Sequence, residues 1–262
     1  MIPRVHLFEL EDQDWFPSLI RDFATDYLEF MEARMALHRQ VVPLLAEALR
    51  ATGSSKVVDL CAGGGGPVVA LREELARVGV NVGFVLTDKF PNVPAFRRLE
   101  ERDPGIEGYR EPVDATNVPP QLTGFRTVFN AFHHFKPEDA RAVLQSAVSA
   151  RQPIGIFEIP ERTVPIVIAT MFFVPILVLV STPFITPFRW ERILFTYPIP
   201  LVPLTCFWDG TVSQLRAYTP DELHALAVSL GDVGYRWTAG KVRGPDSPIH
   251  LTYLIGLPSA AA

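Results

Sequence analysis

Apolar positions along this chain recur with two periods. Between Asp22 and Arg50, the residues Phe23, Tyr27, Phe30, Met31 and Met35 follow helical spacing, and Val41, Leu44, Leu45 and Leu49 form a second such run that stops before Gly53. Two N-terminal helices are predicted. Beyond Gly53, short apolar runs of strand length alternate with amphipathic runs of helix length, which is the pattern of βαβ units around a parallel sheet. Strands are predicted at 56–60, 82–88, within 105–114, at 126–132 and at 153–159. Helices fill the intervals at 67–78, at 94–101 with proline in its first turn, and from Lys136 to about Ala150 with proline and acids in its first turn. Near the end, Thr219 and Glu222 have capping-box spacing before a helix that runs to Leu230. Two strands near 235–242 and 250–257 then flank a turn read from Gly244, Pro245, Asp246 and Ser247.

The stretch before Thr219 breaks this alternation. Residues 163–188 are 26 consecutive residues without a charge, and 193–208 are 16 more. Eight of the chain's 24 prolines lie between Pro160 and Pro203. By length the first run qualifies as a membrane span. Topology argues against it, because the strand before the run and the hairpin after it must join one sheet, so the chain has to return to the same side. A two-span hairpin would need the shorter run, broken by Pro198, Pro200 and Pro203, and would carry Arg189, Glu191 and Arg192 across the bilayer. Three readings of this apolar insertion compete: a lid lining a pocket for an apolar acceptor, a peripheral element that dips into a membrane, and a homodimer interface.

Composition narrows the function classes. The 262 residues carry a formal net charge of -5 with a pI near 5.7, so the electrostatic footprint of a nucleic-acid binder is missing and no nucleic acid is expected as partner. Hydrophobic residues make up 48% and mean hydropathy is +0.18, a balance that excludes a disordered chain. Cys61 and Cys206 stand far apart without CxxC spacing, so neither a disulfide framework nor a metal site is expected. The start of the chain, with Glu9, Glu11, Asp12 and Asp14, lacks the features of a signal peptide, and a cytoplasmic location is expected.

The chemistry concentrates after the first strand, where Gly63, Gly64, Gly65 and Gly66 lie between a strand and a helix. Such a loop lets a ligand approach the backbone closely. A phosphate-gripping P-loop would need a Lys and a hydroxyl residue after it, and neither is present. A dinucleotide loop would need a third glycine where Val68 or Val69 stands. The run from Val57 through Asp59, Leu60 and Ala62 to Gly65 resembles motif I of the class I S-adenosylmethionine-dependent methyltransferases, with Cys61 where the usual motif has its first glycine.

The resemblance covers about 40–160 and 219–258. It implies that Asp88, 23 residues beyond Gly65, ends the second strand and binds ribose hydroxyls, and that Asp114, with Ala115, contacts the adenine amine. Asp59, Gly63, Gly65, Lys89 and Asn130 complete the expected cofactor set, with Asp59 orienting the loop. The fold it implies is α/β: a Rossmann-like, seven-stranded, mostly parallel sheet with a terminal antiparallel hairpin, helices on both faces, an N-terminal helical cap at 1–54, and a methyltransferase-like domain at 55–262 interrupted by an apolar lid at 161–217.

Methyl transfer from a sulfonium is an in-line displacement in which alignment supplies most of the rate, so a base is optional. His133 and His134, after the fourth strand, are the candidates; in an extended chain their side chains point in opposite directions, so one at most faces the acceptor. Glu158, ending the fifth strand, is expected either to contact substrate or to anchor the insertion through Arg162, and Trp208, Arg216 and Tyr218 to return polar contacts to the pocket. The Asn/Asp-Pro-Pro-aromatic motif of base-modifying relatives is absent, since Asn130 is followed by Ala131 and Phe132. The function implied is an S-adenosylmethionine-dependent methyltransferase acting on a small or lipid-like apolar acceptor. The alternative is a membrane- or partner-associated cofactor-binding protein of the same fold without transferase activity.

Overall fold

The computed structural model describes residues 2–231, 234–244 and 249–259. In chain order these form α1 (Ser18–Met35), α2 (His38–Thr52), β1 (Lys56–Leu60), α3 (Val68–Arg77), β2 (Gly83–Leu86), α4 (Val93–Arg102), β3 (Ile106–Gly108), β4 (Phe125–Phe129), α5 (Pro137–Ser149) and β5 (Ile154–Glu158). There follow α6 (Val164–Ser181), α7 (Trp190–Thr196), α8 (Leu201–Arg216), α9 (Pro220–Val228), β6 (Tyr235–Arg243) and β7 (His250–Pro258). Of the turn expected between the last two strands, Pro245, Asp246 and Ser247 lie outside the described residues.

The chain divides into two compact units. One, 36–159 with 219–262, holds a seven-stranded sheet in the order β3-β2-β1-β4-β5-β7-β6. The first five strands are parallel, and β7 runs antiparallel to both β5 and β6, so the expected sheet and terminal hairpin are present. Burial explains the composition: β1, β4 and β5 are buried along most of their length and read as continuous apolar runs, as strands covered on both faces must. The capping box at Thr219 forms, its side chain accepting from Glu222 N while the Glu222 carboxylate accepts from Thr219 N.

The expected cap at 1–54 is not one piece. Val41, Val42, Leu45 and Leu49 of α2 share a core with Val57, Phe84 and Phe125 of the sheet, so α2 belongs to the sheet unit. The other unit comprises 1–35 and 160–218, and here Ile20, Phe23, Ala24 and Tyr27 of α1 pack with Val178, Val202 and Cys206 of α6 and α8. Both helices carry one apolar face; the faces have different partners. The third strand lies within the expected 105–114 and ends at Gly108, and beyond it Val113 N donates to Asp88 O at 2.8 Å.

Gly65 has φ +89° and is buried where an added Cβ would overlap Leu99 Cδ1 and lie 3.2 Å from Leu86 Cδ1. Gly63, φ +55°, has open space around it. Left-handed backbone and overpacking together predict that Gly65→Ala lowers stability by about 2 kcal/mol, against about 1 kcal/mol for Gly63→Ala, where only the backbone term acts. Urea midpoints of the two variants check the difference.

Candidate cofactor crevice

In the sheet unit the strand order reverses direction at β1, between β2 and β4, and an open α/β sheet has its crevice beyond the carboxyl ends of the strands at such a point. The loop after β1 opens on Cys61, which adopts φ +61°. That left-handed backbone gives the physical reason a glycine is usual there. Asp88, following β2, faces this loop: Oδ2 accepts from Gly63 N and Oδ1 from Phe90 N, each at 2.8 Å. Asp114 stands near Lys89, with Lys89 Nζ 3.9 Å from Asp114 Oδ2. Its Oδ1 is held by Thr116, whose amide donates at 2.8 Å and whose hydroxyl donates at 2.6 Å, and those bonds keep the Asp114 carboxyl below its ordinary range.

Several expected cofactor residues sit behind this surface instead. Asp59 is 5% exposed, and its Oδ1 accepts from the Thr127 hydroxyl at 2.8 Å. Its main-chain oxygen accepts from both the amide and the hydroxyl of Thr87, each at 2.9 Å. Asp59 therefore ties β1 to β2 and β4. Ala115 is buried, and Gly65 packs closely against Leu86 at the end of β2 and Leu99 of α4. Asn130, with φ +48°, accepts from Ile159 N at 2.8 Å through its side-chain oxygen, fastening the end of β4 to that of β5.

Burial pushes the Asp59 carboxyl from 3.8 up to about 8, against the opposing Thr127 hydrogen bond and with the Asp88 charge adding to the rise. A carboxyl with a higher pKa folded than unfolded binds its proton better in the folded chain. Its stabilising contribution is complete below the unfolded value and is lost as pH rises from about 4 toward 8. Asp59→Asn, neutral at every pH, is expected to flatten this part of the stability profile. Thermal melts at pH 5, 6.5 and 8 should show a declining midpoint in the parent and a smaller decline in the variant.

The fourth strand ends three residues earlier than expected, and Phe132–His134 wind into a 3₁₀ turn. The extended arrangement with the imidazoles on opposite sides does not occur: the two rings lie 4.3 Å apart, tilted by 34°. Glu158 explains the turn. Its carboxylate, 2% exposed, accepts from Phe132 N at 2.8 Å, from His133 N at 3.3 Å, and lies 2.6 Å from His133 Nδ1. The roles expected of Glu158, substrate contact or anchor of the insertion, give way to positioning His133. Burial raises the Cys61 thiol, and the Asp88, Asp59, Asp114 and Glu158 carboxyls raise it further.

The unit holding the insertion accounts for the remaining candidates. Trp208 Nε1 donates to Phe8 O at 3.0 Å, and the two rings lie 5.6 Å apart. Arg216 donates to Leu7 O at 2.7 Å and pairs with Glu9 at 3.1 Å and Asp12 at 2.9 Å, while Arg4 covers the ring of Tyr218 at 3.9 Å. Asp209 accepts from Leu10 N and Glu11 N at 2.7 and 3.0 Å. Trp208, Arg216 and Tyr218 thus hold the N-terminal segment in place of an acceptor, a pairing across some two hundred residues that no local pattern announces. Sequence reasoning also missed Thr127 and Phe90; the latter, 78% exposed beside Asp88, had as its only signal an apolar residue in a polar loop.

Solved structures share this architecture. The plantazolicin methyltransferase BpumL in complex with SAH matches with a TM-score of 0.55 over 95% of this chain and 94% of that one, at 10% identity. The chain has the fold of the class I S-adenosylmethionine-dependent methyltransferases. Magnesium protoporphyrin IX methyltransferase (ChlM) from Synechocystis PCC 6803 with bound SAH shows the same methyltransferase fold, with a TM-score of 0.51 over 94% of this chain and 97% of that one, at 15% identity. Human N-acetylserotonin methyltransferase in complex with SAM gives 0.51 at 12% identity over 95% of this chain, which spans only 60% of that longer one. No protein-family model matches the sequence, and no curated protein does. In this methyltransferase fold, Gly63, Asp88, Lys89 and Asp114 come together at the crevice, with Phe90 beside them.

Proposed function

We propose that this chain is an S-adenosylmethionine-dependent methyltransferase that acts on a small or lipid-like apolar acceptor. The observation that carries the reading is the Asp88 carboxylate, set at the end of β2 against the exposed Gly63 amide. Two carboxylate oxygens suit the paired hydroxyls of a ribose, and Gly63 offers backbone without an obstructing Cβ. The carboxylates of Asp88 and Asp114 favour a ligand that carries a sulfonium and an ammonium. Phe90 adds an apolar face for an adenine ring. The likeness to three folds solved with SAH or SAM supports the choice of cofactor.

When bound, the cofactor supplies an electrophilic methyl carbon. The residues of this chain orient it and supply a base. Of the two histidines, His133 is the one that Glu158 orients, with Nδ1 2.6 Å from the carboxylate, and it is the residue we assign as the base that takes the acceptor's proton. The buried Glu158 charge then stabilises the imidazolium, as the acid of a catalytic triad does. The apolar class of the acceptor is inferred from the two long uncharged runs of the insertion, 163–188 and 193–208. Two unpaired cysteines suit a reducing cytoplasm.

Isothermal titration with S-adenosylmethionine, S-adenosylhomocysteine and NADH, followed by transfer assays on a panel of apolar phenols, quinones and lipids, tests the proposal. Saturable binding of the first two ligands, no binding of NADH, and methylation of a panel member are expected. Absence of binding by demonstrably folded protein overturns the cofactor assignment. Binding without transfer to any panel member favours the non-enzymatic alternative.

A further inference from the structure

Between 163 and 208 the only charged residues are Arg189 and Glu191, both half-buried, and Arg192. Arg192 is buried and turned inward, where it pairs with Asp26 and donates to Ile185 O and Pro187 O. Arg189 lies over the ring of Phe23. What this stretch exposes most is apolar: Phe172, Phe173, Ile176 and Val180 on α6, and Phe188 and Trp190 at the tip, each more than half accessible. The stretch Val164–Phe184 is long and apolar enough to cross a membrane, yet only 22% of its most apolar window is buried.

The distribution of that exposure identifies the occupant. At about 100° per residue, the buried Val167, Thr170, Val178 and Ser181 fall within an arc of about 80°, and the exposed apolar side chains sweep about 240° of the remainder. A second copy of the chain would cover one face of such a helix, whereas hydrocarbon wraps it as a solvent does. Because α6 and α8 pack against each other, the chain enters and leaves this region as a hairpin, which suits immersion from one side rather than a span. The exposed tip carries Pro183, Pro187, Pro198 and Pro200, four residues with no N–H to leave unpaired in lipid. Trp190 and Tyr197 stand at the same end, the residue types that settle at a bilayer interface.

We propose that the α6–α7–α8 hairpin docks onto a lipid bilayer by shallow apolar immersion. Among the described residues no basic patch accompanies it, and the chain is acidic overall, so zwitterionic lipid should bind as well as anionic lipid. The inference does not depend on the acceptor or on the cofactor. Its test is run without either, so its failure is distinguishable from failure of the transferase reading.

The test is flotation of the full chain with phosphatidylcholine vesicles, with and without added phosphatidylserine, alongside analytical ultracentrifugation in buffer. The parent is expected to float equally with both. Phe172→Glu combined with Phe173→Glu should cut the bound fraction at least tenfold while the thermal midpoint holds. Trp190→Glu, at the tip, is a second variant that should act in the same direction should the double variant fail to fold. Failure of the parent to float overturns the proposal. Flotation that requires anionic lipid overturns immersion as its basis. A dimer that does not float and that Phe172→Glu dissociates assigns the surface to a second copy.

Discussion

Asp88→Ala is expected to weaken S-adenosylmethionine binding by about 100-fold, because it removes a charged acceptor aimed at the crevice, and hydrogen bonds to charged groups contribute about 1.5–3 kcal/mol each. The side chain has two tasks that the variant separates. Its oxygens hold the Gly63 and Phe90 amides in the structure, so its loss loosens the loop as well as removing the contact to the ribose. Asp88→Asn keeps one oxygen and the side-chain size but removes the charge, and should lie between, about tenfold down. Calorimetric titration reads both affinities. Because Asp88 is only half-buried, the thermal midpoint should move little, and that control separates lost binding from lost fold. An Ala variant that binds within threefold of the parent would sink the assignment of Asp88 to the cofactor.

His133→Ala is expected to lower the rate of methyl transfer by about 10²–10⁴-fold, the usual contribution of a positioned general base, while S-adenosylhomocysteine affinity stays unchanged. The geometry distinguishes this histidine from its neighbour. Glu158 holds the backbone and the Nδ1 of His133 together, so His133 cannot turn without breaking bonds to a buried carboxylate. Glu158→Gln retains an oxygen for Phe132 N but loses the charge that steadies the imidazolium, and should reduce transfer by a smaller factor than His133→Ala. His134→Ala should be the mildest of the three. Single-turnover rates with an acceptor from the panel, measured alongside affinity, separate a catalytic loss from a binding loss. Equal losses at His133 and His134 would refute the assignment of the base.

Much of the sheet unit was legible from local pattern. Strand and helix periods placed β1, β2, β4, β5 and their helices within a few residues, because each strand is buried on both faces and each helix on one, and burial writes itself into hydrophobicity. The glycine loop and the acid after β2 were legible for the same reason in another form: a sharp turn and a ligand contact restrict residue type at fixed spacing. The turn at Phe132–His134 was not, since an apolar run ending in two histidines reads as strand until Glu158, 25 residues on, captures the amides.

The sequence by itself determined the order of elements, the sheet class, the site of the glycine loop and the two long uncharged runs of the insertion, all of which are properties of consecutive residues. Tertiary structure alone decided which apolar face met which. It sent α1 to the insertion and α2 to the sheet, turned Trp208 and Arg216 onto the N-terminal segment, withdrew Asp59 beneath the loop, and left most of α6 uncovered. The physical reason is that hydrophobic burial is non-directional: a pattern fixes how much surface a segment must hide, and only the packed chain fixes against what.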